Sequence, residues 1–364
     1  MRLSWTLSRY FGLQLLGGIA AIFALFMGLI YLGSMVELMR RASGNPDINF
    51  STLMMMAGLQ LPALTERALP FAVMFGALWS YIRLGRNHEL VVIRASGVSV
   101  WQFLVPGIAI ALLIGIIAVG AYNPISASFT SRFEQVEAKY LRGQASLLAV
   151  SPSGLWLRQA DPRGQSVINA LRVSNQGTDL EEVIIFLYEG GDKFAGRIDA
   201  ASAKLRDGYW EITDVTRTGP NQQQQFLAHD RLATSLTLER IQDSFASPET
   251  MSFWNLPNFI WVLEEAGFSA VRHRLHWHSL LAMPLLLCAM IIIAATFSLR
   301  ASTRSGIAMV VLGALVTGFM LYFLTDLALA LGRTGSLPVL LSAWTPAGVS
   351  ILLGVSLLLH LEDG

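Results

Sequence analysis

The sequence predicts a polytopic α-helical membrane protein. Six transmembrane helices carry an extracytoplasmic all-β, jelly-roll-like domain inserted between helices 3 and 4. Three observations predict this. The 364-residue chain is 53% hydrophobic and only 14% charged, with mean hydropathy +0.51, whereas a soluble chain is about 25% charged. Its apolar residues gather into six runs of the roughly 20 residues that a membrane helix needs. Those runs fall in two groups of three, separated by roughly 150 residues of different character.

The first span runs from about Phe11 to Val36. It is far longer than the core of a signal peptide, and no small-residue cleavage site precedes polar sequence, so it reads as a retained span. The second runs from about Leu53 to Ile82, interrupted by Glu66 and Arg67, and the third from about Val100 to Tyr122. Spans four, five and six run from about Leu275 to Phe297, Gly306 to Leu331 and Leu340 to Leu361. The division expected is residues 1–123 for spans one to three, 124–270 for the β domain and 271–364 for spans four to six.

The insert consists of short alternating runs punctuated by turn residues. Leu155-Trp156-Leu157 follows Ser151-Pro152-Ser153-Gly154, and Tyr209 to Thr213 follows Arg206-Asp207-Gly208. Turns every 8–12 residues or so predict an antiparallel sandwich or jelly roll of unspecified strand order. The run Gln222 to Gln225 reads as an exposed turn. A helix from Leu256 to Ala266, stopped by Gly267, places Phe259, Ile260 and Leu263 on one side. It either packs on the sheet or lies at the membrane surface.

Basic residues set the orientation. Arg2 and Arg9, then Arg83, Arg86 and Arg94, then Arg300 and Arg304 all fall on one side, which the positive-inside rule makes cytoplasmic. Both termini are then inside and the insert, with all three lysines (Lys139, Lys193 and Lys204), is outside.

Several chemistries are missing from the sequence. There is no G-x-x-x-x-G-K-[ST], H-E-x-x-H, C-x-x-C or G-x-S-x-G. The expectation is a protein that is not an enzyme, binds no cofactor, and leaves any ATP hydrolysis to another chain. The net charge of +1 gives no argument for a nucleic-acid partner. The single cysteine, Cys288, lies in an apolar run. His273, His276 and His278 open span four beside Arg272, Arg274 and Trp277, and their spacing fits interfacial composition better than a zinc site.

Charge is scarce enough to be informative where it occurs. Arg86 to Gly97 forms a charged, helix-like loop between spans two and three, and Asn87 is a candidate N-cap. Glu89 falls in the first turn, where a negative charge complements the helix dipole. Leu90 and Ile93 share a face, Arg94 follows, and Gly97 is a natural stop. Such a loop either docks a soluble partner or merely reverses the chain.

Glu37, Arg40 and Arg41 lie at the outer end of span one. A Glu37–Arg41 pair at i,i+4 would leave Arg40 for an anion. With Arg132, Lys139 and Arg142 after span three they make a basic rim suited to a phosphorylated lipid headgroup, or to ordinary snorkelling. Glu66 and Arg67 lie about 24 Å from the inner end of span two at 1.5 Å per residue. They are either a headgroup-level pair or the lining of a cavity, and Asp326 in span five is expected to face a bundle interior.

These features together resemble a known family, the lipopolysaccharide-export permeases LptF and LptG. The resemblance covers the whole chain. It is carried by Glu89-Leu-Val-Val-Ile-Arg-Ala-Ser-Gly97, by Pro70-Phe71-Ala72 and Gly85-Arg86, by His273 to Pro284, and by Leu337-Pro338 with Ala343-Trp344-Thr345-Pro346. Val36 to Arg41 and the stretch Leu321 to Gly332 with Asp326 resemble the LptG branch more than the LptF branch. The resemblance implies a paralogous LptF-like subunit, a cytoplasmic LptB-like ATPase dimer and a single-span LptC-like periplasmic subunit. It implies lipopolysaccharide as cargo, taken from the inner membrane of a Gram-negative bacterium. Arg86, Glu89, Leu90, Ile93 and Arg94 would be the ATPase-coupling helix, with Glu89 meeting a basic ATPase residue. Arg40 and Arg41 would touch lipid phosphates. A further basic position of some relatives is Ser34 or a neighbour here, which lowers the charge at the gate. A proton-coupled secondary transporter using Asp326 or Glu66 is the rival from another class, and a membrane-anchored structural or signalling protein is a third.

Overall fold

The computed structural model describes residues 5–362 apart from 44–48, 90–91, 93–94, 143–147, 152–153, 162–163, 175–177, 190–192, 220–223, 235–236, 238–246, 266–268 and 301–306. Helices α1 (Trp5–Ala42), α2 (Phe50–Arg86) and α3 (Val100–Ile117) come first. A π turn, Ala118–Tyr122, carries α3 directly into α4 (Asn123–Glu137), and a second π turn follows at Ala138–Arg142. After the β strands come α5 (Leu256–Glu265), α6 (Val271–Arg300), α7 (Ile307–Arg333) and α8 (Val339–Glu362). Six of these helical segments are long and apolar enough to cross a bilayer, the α3–α4 run counting as one.

Span three therefore does not stop at Tyr122. Pro124 falls in the first turn of α4, where a proline gives up an N–H that the register there does not need. The result is three long helices. The 37 residues of α2 measure about 55 Å at 1.5 Å each, against a hydrocarbon core of about 30 Å. The excess continues as a three-helix extension with its own apolar core, built from Leu38 of α1, Met56 and Ala57 of α2 and Phe133 of α4.

The main core of the membrane unit is separate from that one. It gathers buried residues of α1, α2, α3 and α6, with Val310 and Ala314 of α7 and Leu358 of α8. α6 is the most buried span, whereas α1 and α7 leave apolar side chains such as Leu29, Leu32, Phe319 and Phe323 exposed. A helix that is apolar on every side suits lipid or another apolar chain.

Glycines set the closest approaches. A Cβ on Gly76 would lie 2.4 Å from the Cα of Ile19, and one on Gly18 would lie 2.8 Å from the Gly76 carbonyl oxygen. The backbones of α1 and α2 thus touch. Ser80 Oγ sits in the same crossing and donates to Gly76 O at 2.9 Å. Small residues bring membrane helices together in this way because packing drives their association in lipid.

The inserted unit is all-β, as expected. Its strands are β1 (Leu148–Ser151), β2 (Gly154–Asp161), β3 (Gly164–Ser174), β4 (Asp179–Glu189), β5 (Lys193–Arg206), β6 (Tyr209–Thr218) and β7 (Gln224–Ala233). They form one antiparallel sheet in chain order, so its topology is a meander. Alternation places Leu157, Ile168, Ile185, Ile198 and Trp210 on a fully buried face. The sheet curls. Gln159 of β2 donates to the Ala233 carbonyl at the end of β7 (3.2 Å) and accepts from the Thr234 hydroxyl (2.6 Å). Glu182 in β4 and Asp214 in β6 hold left-handed backbones, at φ 53° and 52°. They flank β5 at one level, where the pairing ladder skips a step on either side, and so crease the sheet. Of the glutamine run, Gln224 and Gln225 are exposed at the start of β7, and Gln222 and Gln223 lie outside the described residues. α5 packs on β1 through its own unit, burying Leu256, Ile260 and Leu263, which decides between the two placements left open by its sequence.

Gly76→Ala is expected to lower the thermal midpoint of the detergent-purified protein, an overpacking cost of about 1–3 kcal/mol. Gly28→Ala, where nothing lies within 4 Å, is expected to leave it unchanged. Equal responses of the two variants would refute the backbone contact.

Candidate functional site

The charged loop is built from a helix end and a left-handed residue. α2 closes with the Asn87 N–H donating to Arg83 O at 3.1 Å and the His88 N–H donating to Gly85 O at 3.1 Å. His88 then takes φ 60° and reverses the chain. Its carbonyl accepts from the Val92 N–H (3.1 Å), and Val92 accepts from the Ser96 N–H (3.0 Å), so a short second helix follows. The first helical residue is Glu89, and His88 is the turn before it. Asn87 closes the end of α2 through its backbone N–H, and its side-chain amide donates to Glu89 Oε1 at 3.2 Å. Gly97, at φ 82° with open space around it, ends the short helix as expected. Ser99 caps α3 by accepting from the Gln102 N–H at 3.3 Å.

Arg86, His88, Val92 and Ala95 are exposed, and Glu89 is half-buried. Tyr10 of α1 points its hydroxyl at Glu89 Oε1 from 3.5 Å. The loop carboxylate is thus bracketed by one donor from its own turn and a looser one from the first span. Leu90, Ile93 and Arg94 lie outside the described residues.

The basic rim differs from its sequence expectation. Glu37 engages both arginines, Arg40 through two bonds of 2.9 Å and Arg41 through one of 2.8 Å. Arg40 is therefore paired, though its side chain is 75% exposed. The reason is that i+3 and i+4 neighbours both lie over the same carboxylate on a helix. Arg41 also reaches across to Glu137 of α4 at 3.3 Å. Glu137 is buried, so the pair ties α1 to α4 above the second core. Arg132 is exposed and makes no ion pair among the described residues, while Lys139 lies 5.3 Å from the Tyr140 ring centre. The side chain of Arg142 lies outside the described residues. Ser34 is buried.

Glu66 and Arg67 part company. Glu66 is buried and accepts from Asn123 Nδ2 at 2.9 Å. Arg67 is exposed and pairs with Glu249 at 3.4 Å. Adjacent helical residues point about 100° apart, so they cannot share a face. Asp326 does not face this chain's interior. It is exposed on α7 and has no partner among the described residues. Sequence reasoning missed Asn123, Ser126 and Tyr122. Their only local signal was spacing: Asn123 and Ser126 lie three apart, just past the apolar run that ends at Tyr122. No group of metal-ligating side chains forms among the described residues, and Cys288 is a buried thiol.

Six apolar helical segments, an all-β unit between the third and fourth, and charge gathered near helix ends define a polytopic membrane protein with an inserted β domain. The family described as "Lipopolysaccharide export system permease LptF/LptG" matches residues 9–360, and the chain belongs to it. Its role is therefore that of a transport subunit. Among its relatives, the "Lipopolysaccharide export system permease protein LptG" of Haemophilus influenzae is 25% identical over 365 residues, covering 96% of each chain. The protein of the same description from Escherichia coli K12 is 23% identical over 362 residues, covering 97% of this chain and 98% of its own.

Arg41→Gln is expected to lower the thermal midpoint more than Arg40→Gln, because only Arg41 reaches a second carboxylate on another helix. Its share is about 1 kcal/mol after solvent screening of a half-exposed side chain. Equal midpoints for the two variants, by thermal unfolding in detergent, would remove the Arg41–Glu137 tie.

Proposed function

We propose that the chain is the LptG-type permease subunit of a lipopolysaccharide exporter, driven by a separate cytoplasmic ATPase. The observation that carries this is the whole-length similarity to two relatives described as LptG. The LptF-type subunit of the same complex is the second reading, since one family description covers both.

In this reading the loop Arg86 to Gly97 faces the cytoplasm and the β domain faces the periplasm, in keeping with the positive-inside rule. The exposed face of the short helix enters the ATPase, and Glu89 meets a basic residue there. Tyr10 and Asn87 keep the carboxylate presented. Leu90, Ile93 and Arg94 supply the rest of the docking face, and Arg86 flanks it. The partners are a paralogous LptF-like subunit, an LptB-like ATPase dimer and an LptC-like single-span protein.

Lipopolysaccharide enters sideways between span one of this subunit and span five of its partner. Two observations support that route. α1 and α7 are the least buried of the spans, and Arg40, Arg41, Arg132, Lys139 and Arg142 follow spans one and three in the chain. Guanidinium groups bind phosphate through paired donors, and Glu37 holds Arg40 and Arg41 extended until phosphate competes for them. Asp326, exposed on α7, is a gate residue covered by the partner subunit. Closure of the ATPase drives the short helices, the cavity collapses, and the lipid leaves towards the β domain. Lifting acyl chains out of apolar surroundings costs about 0.8 kcal/mol per methylene, which explains the need for an energy source.

Glu89→Ala is expected to cut the amount of P-loop ATPase that co-purifies with the protein by about tenfold, the loss of a charge-assisted contact, with folded protein yield unchanged. An undiminished ATPase yield removes Glu89 from the docking surface. If the wild type, isolated from its native membrane, brings no ATPase and instead carries protons in vesicles, the rival transporter class replaces the exporter.

A further inference from the structure

Asn123 stands where three segments of the membrane unit meet. Its Nδ2 donates to Glu66 Oε1 on α2 at 2.9 Å, and its Oδ1 accepts the backbone N–H of Phe253 at 2.8 Å. Asn123 is 3% exposed and Glu66 9%. One amide thus uses both of its ends, each on a different segment. Beside it the hydroxyls of Tyr122 and Thr65 lie 2.6 Å apart. Trp254 donates its indole N–H to Gly120 O at 3.0 Å, within the π turn. Phe253 stacks on Trp277 of α6 with ring centres 6.2 Å apart, and Arg67 pairs with Glu249.

Four of these contacts reach Glu249–Trp254. This strap belongs to the membrane unit, yet the residues on either side of it, Pro248 and Asn255, belong to the β unit. The chain leaves the β unit, is fastened to the membrane helices for six residues, and returns to the β unit to form α5. Packing alone does not call for such a fastening. A buried carboxylate is costly compared with an apolar side chain of similar volume, and needs donors from its surroundings. What the polar set supplies is a fixed geometry, because the Phe253 N–H has one acceptor and that acceptor is oriented by Glu66.

We propose that Asn123 and Glu66 are positioning residues for lipid transfer. They fasten the strap to the middle of α2 and the start of α4, so that movement of those helices passes along the covalent chain into α5 and the sheet on which it packs. The transfer half of this proposal rests on the exporter reading; the fastening half does not.

The test exchanges the two side chains. In N123D a second carboxylate faces Glu66 and the donor is lost. In the E66Q/N123D double variant the amide introduced at position 66 donates to one oxygen of the carboxylate introduced at position 123. The other oxygen of that carboxylate still accepts the Phe253 N–H. The full-length protein with its co-purifying partners is placed in vesicles containing lipopolysaccharide. ATP-dependent lipid release, ATP hydrolysis and deuterium exchange of residues 248–255 are measured. N123D is expected to exchange its strap about tenfold faster, the loss of one charge-assisted bond. It should release lipid correspondingly more slowly while hydrolysis persists, and the double variant is expected to recover both properties. Should N123D alone fail to assemble, the double variant carries the test, and its failure to recover assembly and release overturns the proposal. Fast strap exchange with wild-type release overturns the transfer half, and unchanged exchange overturns the fastening. Absence of ATP-dependent release from the wild type would overturn the exporter reading instead, and in that case strap exchange across the two variants still decides the fastening.

Discussion

The backbone contact between α1 and α2 at Gly18 and Gly76 governs what both ends of the first span can reach. α1 is one continuous helix, so fixing its middle fixes its rotation throughout. Tyr10 lies eight residues before Gly18, about 12 Å along the axis, and arrives beside Glu89. Arg41 lies about 35 Å along in the other direction and arrives beside Glu137. A side chain at either glycine would separate the helices and move both ends together. The charged loop and the basic rim are thus two ends of one rod held at a single crossing.

Several hydroxyls elsewhere in the bundle are satisfied at short range. Thr65, Ser80, Thr296, Thr325 and Ser350 each donate to a carbonyl four residues back in their own helix. A bilayer core offers no water, so this is the cheapest solution for a hydroxyl. Glu66 and Asn123 cannot be satisfied that way, since a carboxylate needs several donors and an amide needs both a donor and an acceptor. They find them on other segments, which is why they organise tertiary structure.

The legible part of this fold was the part written in local sequence. The six spans followed from apolar runs, and the strands from alternation and turn residues. The short helical segment after α2 followed from a charged island ended by Gly97. The illegible part lay in pairings between distant positions. Glu66 and Asn123 are 57 residues apart and Arg41 and Glu137 are 96 apart, and no periodicity reports such partners. The outward placement of Asp326 was hidden for a different reason. α7 is apolar on every side, so its sequence contains no face to compare the acid with. Pairing of both Arg40 and Arg41 with Glu37 was within reach of helical spacing, but spacing alone gives two acceptable partners and no rule for excluding either.

The π turn at Ala118–Tyr122 has one more consequence. A regular helix advances about 100° per residue, so the wide turn acts as an angular offset between α3 and α4. It lets α3 present its lipid-facing side while Asn123 comes round to α2. The five residues of this turn count as phase and not as reach. Insertion or deletion of a single residue there would swing the amide out towards the hydrocarbon, although the helix would remain continuous and nearly unchanged in length.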